Sequence, residues 1–264
     1  MIDSHCHLDL PALAKDSNNI LSACHSLGVS RILVPGLSMP QFDALMRLQK
    51  QWQTEAPNIR IDIALGLHPY FLTDLQADIT NEQFQQQFVE LAHLHQDKLV
   101  AIGECGLDKH INVPFAQQTA VLSMQIEVAR QLNKPLILHH RQSHNDIIRL
   151  LKQTRFGGGG VIHAFSGSEQ IANTYIDMGF KLGVGGTISY PRAVKTRNSI
   201  RKVDMQHLLL ETDAPDMPLN GYQGQVNTPA RLPQVAKYLA ELKGVSFEQV
   251  VACTNQNYQD VFMC

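Results

Sequence analysis

No stretch of the 264-residue sequence approaches the roughly 18 consecutive apolar residues that a membrane-crossing helix needs. An excess of charge of either sign is missing too. The chain has 22 Lys+Arg against 24 Asp+Glu, a formal charge of −2, which excludes a protein that coats DNA through a uniformly basic surface. Cysteine is sparse. Cys6, Cys24, Cys105, Cys253 and Cys264 are odd in number and scattered, with no C-x-x-C, so reduced thiols in a cytoplasmic setting are expected. The opening MIDSHCHLDL has neither the basic n-region nor the apolar h-region of a signal peptide. H-E-x-x-H, P-loop and EF-hand patterns are absent, and Ser166 lacks the leading Gly of a nucleophile elbow.

What is present describes a folded enzyme-sized chain. Apolar residues make up 44% and charged residues 17%, enough to bury a core without disulfide or metal staples. Short aliphatic or β-branched runs recur at Met1–His5, Arg31–Pro35, Ile59–Leu67, Leu99–Gly103, Pro135–Leu138, Gly160–Ile162, Phe180–Val184 and Leu208–Glu211. Helical patterns separate them at Asp16–Leu27, Gln41–Gln53, Asn81–His95, Phe115–Asn133, Ser143–Lys152 and Glu169–Met178. In the third of these, Thr80 and Asn81 are cap candidates, and Phe84, Phe88, Leu91 and Leu94 form the expected apolar stripe. Leu122, Ile126, Ala129 and Leu132 repeat it in the fourth, which Pro135 ends.

Eight strands alternating with helices predict a parallel sheet, and the length suits a TIM (β/α)8 barrel. The alternative, a doubly wound open sheet, lacks its G-x-G-x-x-G turn after the first strand. No composition shift marks a boundary, so residues 1–264 read as one domain, with the tail from Ser246 as a closing helix. No obligate protein partner is indicated.

Of the 12 His, several fall where a barrel keeps its chemistry, at the carboxyl ends of strands. His5 and His7 follow strand one, His68 strand three, Glu104 strand four, His139 strand five, His163 strand six and Asp213 strand eight. Residues two apart on a strand point the same way, so His5 and His7 can both face the barrel mouth while Cys6 points away. Four imidazoles (His5, His7, His139, His163) and two carboxylates (Glu104, Asp213) exceed what one tetrahedral ion needs. They suit two divalent ions sharing a carboxylate, as in many phosphoesterases, with Zn or Mn favoured over a pure-oxygen Mg site.

The same residues carry a resemblance. Asp3-Ser4-His5-Cys6-His7, Gly66-Leu67-His68-Pro69, Gly103-Glu104-Cys105-Gly106-Leu107-Asp108, His139-His140-Arg141, His163-Ala164-Phe165-Ser166-Gly167 and Glu211-Thr212-Asp213-Ala214-Pro215 resemble the motifs of the TatD family. These are metal-dependent hydrolases of the amidohydrolase superfamily, several of them deoxyribonucleases. Gly185–Pro191 and Asp213–Leu219 are more similar to its YjjV-like branch. The resemblance implies that His5, His7, Glu104 and Asp213 hold one metal, and that Glu104, His139 and His163 hold the second, with Glu104 bridging. It also implies that Asp213 acts as general base or orienter of the attacking water, and that His68 lies beside the substrate. Cys105 stands where the family has an aliphatic residue and reads as a small core hydrophobe. The H-x-R spacing selects His139 over His140 and places Arg141 on the same face as a phosphate contact. His140 is expected to pack, while His144 is open between a site contact and a helix surface.

Arg192, Lys195, Arg197, Arg201 and Lys202 occupy an eleven-residue span without an acid, after strand seven, where barrel enzymes often bind phosphate. They are either a solvated helix face or a rim on which Arg192, Lys195 and Arg197 guide a phosphodiester strand, with Tyr190 and Tyr222 stacking on bases. Together these readings predict a two-metal hydrolase (Zn, Mn or Mg) acting on DNA ends or single strands. The alternative is hydrolysis of a small ester, amide or aminoacyl bond.

Overall fold

The computed structural model describes residues 1–74 and 82–263. The proposed caps Thr80 and Asn81, and Cys264, lie outside the described residues. Eight parallel strands run in sequential order: β1 (Ile2–Asp3), β2 (Arg31–Pro35), β3 (Arg60–Leu65), β4 (Leu99–Asp108), β5 (Leu136–Arg141), β6 (Gly160–Ile162), β7 (Phe180–Val184) and β8 (Leu208–Leu210). The helices are α1 (Pro11–Ala14), α2 (Ser17–Ser26), α3 (Met39–Glu55), α4 (Glu82–Leu94), α5 (Phe115–Gln131), α6 (His144–Thr154), α7 (Glu169–Asp177), α8 (Val194–Lys202), α9 (Leu232–Lys243) and α10 (Phe247–Phe262). The seam between β8 and β1 is drawn together by Ser4 N donating to Leu210 O at 2.9 Å, by Asp213 N donating to His5 O at 2.9 Å, and by a parallel bridge from Cys6 to Ala214. The sheet thus becomes a nearly closed TIM barrel. Among the described residues no helix is long and apolar enough to cross a membrane.

Strand alternation sorts the core into two layers. Ile32, Val34, Ile63, Leu138, Ile162, Leu182 and Leu210 pack outward against the helices. Ile2, Leu33, Ala64, Ala101, Ile137, Val161 and Leu209, one from each of seven strands, cluster together with Tyr258 and Phe262 of α10. The closing helix expected from Ser246 therefore does more than terminate the chain: a capping box between Ser246 and Gln249 starts it, and its far end packs onto this inner cluster. In α4, Phe84 and Phe88 are buried as expected, but Leu94 is 76% exposed. At 100° per residue it lies well off the stripe that Phe84, Phe88 and Leu91 share.

β4 departs most from its expected span, running on past Gly103 to Asp108. Its register against β5 shifts between Ile102 and Cys105, a one-residue irregularity of the kind that re-aims side chains beside active sites. Ala101 belongs to the inner cluster and Cys105 to the outer one, so Glu104 is turned inward. Gly103 has φ +151°, and a Cβ there would stand 2.6 Å from Cβ of Ile137, so glycine is required at this step.

Candidate metal centre

The inward series continues past the strand ends. Ile137 leads to His139, Val161 to His163, and Leu209 to Glu211 and Asp213, each step being two residues. Asp213 adopts φ +56°, a left-handed turn tolerated by Asp. These residues meet around Glu104, which is 1% exposed. Glu104 Oε2 lies 3.1 Å from His5 Nε2 and 3.4 Å from His7 Nε2. Glu104 Oε1 lies 3.2 Å from His139 Nδ1, 3.3 Å from His68 Nε2 and 3.4 Å from His163 Nε2. Asp213 Oδ1 is 3.7 Å from His5 Nε2 and 3.6 Å from His7 Nε2.

Among the described residues three groups have donor atoms close enough to hold a metal ion: His5 with His7 and Asp213, His5 with Glu104 and His163, and His68 with Glu104 and His139. The donor set fits such a role better than a hydrogen-bond network. His5 Nε2 and His7 Nε2 are 3.2 Å apart, and five imidazole nitrogens crowd two carboxylate oxygens. Neutral imidazoles cannot all be satisfied by so few acceptors, whereas cations between them would use every lone pair.

Protons balance the charge when no cation does. Burial alone would lower His7 and His139, but hydrogen bonds and charge from Glu104, joined by Asp213 and Asp9 at His7 and by Asp108 at His139, raise both to about 9. Burial raises Asp213 to about 8. Glu104 would also be raised by burial, yet the His68, His163 and His5 charges hold it well below the carboxylate range. His7 and His139 are therefore held toward the protonated form beside the Glu104 carboxylate. Divalent metal must displace those protons, so its affinity should climb with pH up to about 9, with proton release on binding. Titration calorimetry in buffers of different ionisation enthalpy reads the release directly. Affinity independent of pH between 6 and 9 would contradict this charge balance.

A supporting layer surrounds the cluster. Asp3 accepts from His5 N at 3.2 Å, Thr212 N at 3.0 Å and Thr212 Oγ1 at 2.6 Å, linking the two ends of the barrel seam. Asp108 Oδ2 lies 3.4 Å from His139 Nε2. Glu211 Oε1 accepts from Ala164 N at 2.6 Å and lies 3.4 Å from His163 Nδ1, behind the ring. Two glutamines of α5 clamp backbone beside the site. Gln125 pairs with both N and O of Leu67, at 2.8 and 3.1 Å, and Gln118 does the same to Asp108 at 2.8 and 3.0 Å. Sequence reading assigned no role to these five residues. Alternation could have found two of them, since Asp108 and Glu211 lie an even number of residues from Glu104 and Asp213.

The other expected site residues are placed as follows. His68 joins the inner cluster, with Nε2 3.3 Å from Glu104 Oε1, and lines the cavity beside it. Arg141 is exposed and lines the same cavity of about 350 Å³ as His7, Asp108 and Asp216. Tyr190 and Arg192 line a neighbouring cavity. Lys195 is exposed on α8, Arg197 donates to the Ile188 carbonyl, Arg201 Nη1 donates to Asn198 Oδ1, and Lys202 pairs with Glu169. Cys105 is buried with Sγ 3.6 Å from Ile137 O, away from the cluster. His140 stacks on His144 at 4.1 Å, and His144 Nε2 donates to Ser166 O at 2.9 Å, so His144 ties α6 to the loop after β6. Tyr222 lies under the Arg231 guanidinium at 4.1 Å.

Residues 2–263 match the family model described as TatD related DNase. The chain is 39% identical to the metal-dependent hydrolase YjjV of Escherichia coli K12, over 99% of this chain and 97% of that protein. It is 30% identical to the metal-dependent hydrolase YabD of Bacillus subtilis 168, over 99% and 98%. The crystal structure of E. coli YjjV, a TatD homologue, superposes with a TM-score of 0.88 over 100% of this chain and 98% of that one. A TatD family hydrolase from Entamoeba histolytica, 21% identical, shares the fold with a TM-score of 0.85 over 99% and 97%.

Proposed function

The chain belongs to the TatD-related DNase family of metal-dependent hydrolases, and from that premise we propose that it is a two-metal phosphodiesterase acting on DNA ends or single strands. The observation that carries the reading is the division of Glu104: one oxygen faces His5 and His7, the other faces His139, His163 and His68. That is the disposition of a bridging carboxylate, with His5, His7 and Asp213 on one side and His139 and His163 on the other. Two divalent ions (Zn, Mn or Mg) would supply a nucleophile at neutral pH and charge to neutralise the attacked phosphoryl group.

Within this site the chain's own groups divide the remaining work. Asp213 accepts the proton of the attacking water and holds its direction. Arg141, exposed at the mouth, offers a planar fork to a phosphate oxygen. His68 sits against Glu104 Oε1 and assists at the leaving-group side. Arg192 and Lys195, with Arg197 behind them, guide the strand from the rim, and Tyr190 supports the bases. We place residues 1–264 as one catalytic unit working in the cytoplasm without an obligate protein partner.

A 5′- or 3′-labelled single-stranded oligonucleotide should be shortened in the presence of Mn²⁺, Mg²⁺ or Zn²⁺ and left intact with chelator. Replacing Arg141, Arg192 and Lys195 with Ala should weaken binding and reduce the salt slope by about 0.7 per lost phosphate contact. Ester, amide or aminoacyl cleavage with no loss of DNA would replace the phosphodiesterase reading with acyl hydrolysis.

A further inference from the structure

Between the segments that follow β7 and β8 lies a second cavity, of about 280 Å³, lined by Thr187, Tyr190, Arg192, Ala193, Met217 and Pro218. It adjoins the metal-centre cavity. Asp216 lines that one, and the next residue, Met217, lines this one. A turn closed by Asp216 N donating to Asp213 O at 2.9 Å keeps the two close. The Cα atoms of Asp213 and Met217 are therefore within about 11 Å.

The chemistry of this cavity is different from that of the metal centre. Met217, 37% exposed, lines it with Pro218 and Ala193, so an apolar wall is left to solvent. The Arg192 guanidinium lies 4.9 Å over the Tyr190 ring. The Tyr190 hydroxyl donates to Pro218 O at 2.7 Å and pins the ring in place. One face of Tyr190 is thus covered by Arg192, whose exposed side chain also lines the cavity. Arg192 is exposed and has no acidic partner among the described residues.

We propose that this cavity holds one nucleobase of a single strand, stacked on the Arg192 guanidinium, with Met217 and Pro218 as the facing apolar wall. Tyr190 acts from behind Arg192 as a positioning residue. For the chemical class of its ligand the proposal rests on the nuclease reading above. Guanidinium planes and sulfur-bearing or apolar walls suit the π face of any base, so the subsite tolerates sequence. A site for phosphate alone would need several donors where this one presents apolar atoms. A base still stacked in a duplex cannot enter, so the cavity selects unpaired strands.

The test measures binding to the metal-loaded protein by fluorescence anisotropy. It compares labelled phosphorothioate tetrathymidylate with abasic counterparts at each position. The strand with bases should bind at least about tenfold tighter than the counterpart abasic at one position next to the scissile phosphate. Arg192→Lys keeps the charge but loses the plane. It should bring that ratio to about one with the salt slope preserved, while Tyr190→Phe, keeping the ring but not the hydroxyl, should lower it only in part. Equal affinities in the unaltered protein, or a ratio that survives Arg192→Lys, overturn the subsite. Cleavage of oligonucleotides without base dependence removes the subsite and leaves the nuclease reading intact. Base-dependent binding without cleavage of the unmodified strand does the reverse.

Discussion

Glu104→Gln is expected to lower kcat by at least about 10³-fold and to cost the protein at least one bound metal. The substitution changes volume hardly at all, so its effect is electrostatic. Glu104 is the one group within 3.5 Å of all five imidazoles, and its charge is the anion around which they converge. An amide offers one oxygen to whichever side it faces and turns N–H donors toward the other, where they meet imidazole nitrogens. Metal content by elemental analysis and turnover on a labelled oligonucleotide read the two consequences separately. Two metals bound at unchanged affinity, with full turnover, would refute a bridging role.

At the opposite end of the barrel, Asp62→Ala is expected to destabilise the fold by about 3 kcal/mol or more, a fall in Tm of roughly 6 °C or greater. Asp62 is 4% exposed and lies two residues before the inward-facing Ala64. It accepts from Arg31 Nη1 at 2.7 Å, from Arg60 Nε at 3.2 Å and from the Tyr258 hydroxyl at 2.8 Å. Its removal leaves a buried hydroxyl and a largely buried guanidinium without their acceptor. Because the candidate site lies at the strand carboxyl ends, activity per folded molecule should persist at low temperature. Thermal and urea unfolding measure the first effect. A loss below 1 kcal/mol would mean that Arg31 and Tyr258 find water instead.

Much of this architecture was legible because periodicity is a local property. The spans Arg31–Pro35, Gly160–Ile162 and Phe180–Val184 coincide with the observed strands. The strand-end positions of His5, His7, His139 and His163 follow from two-residue alternation alone. β4 was not legible beyond Gly103, because the shift that turns Glu104 inward depends on how β4 registers against β5. The helices Pro11–Ala14 and Leu232–Lys243 lie outside the helical spans read from the sequence; the first is a single turn, and the second carries Pro in its first turn. Gln118 and Gln125 could not be recognised as clamps, since their partners are defined by a packed helix and not by any nearby motif. His68 shows the same limit, because its distance to Glu104 is set by the 3₁₀ turn Pro69–Asp74 and by Gln125 holding Leu67.

The seam between β1 and β8 also has a kinetic meaning. Asp3 and Thr212 are 209 positions apart, yet Thr212 donates two hydrogen bonds to the Asp3 carboxylate, which accepts a third from His5 N. Contacts of such sequence separation form late, since the loop entropy they consume must first be offset by the intervening structure. His5 and His7 therefore meet Asp213 only once the seam between β1 and β8 has formed. Metal binding through His5, His7 and Asp213 would then be coupled to completion of the barrel. Metal-dependent fluorescence or calorimetric signal should appear as the slowest refolding phase, reporting that the circle has closed.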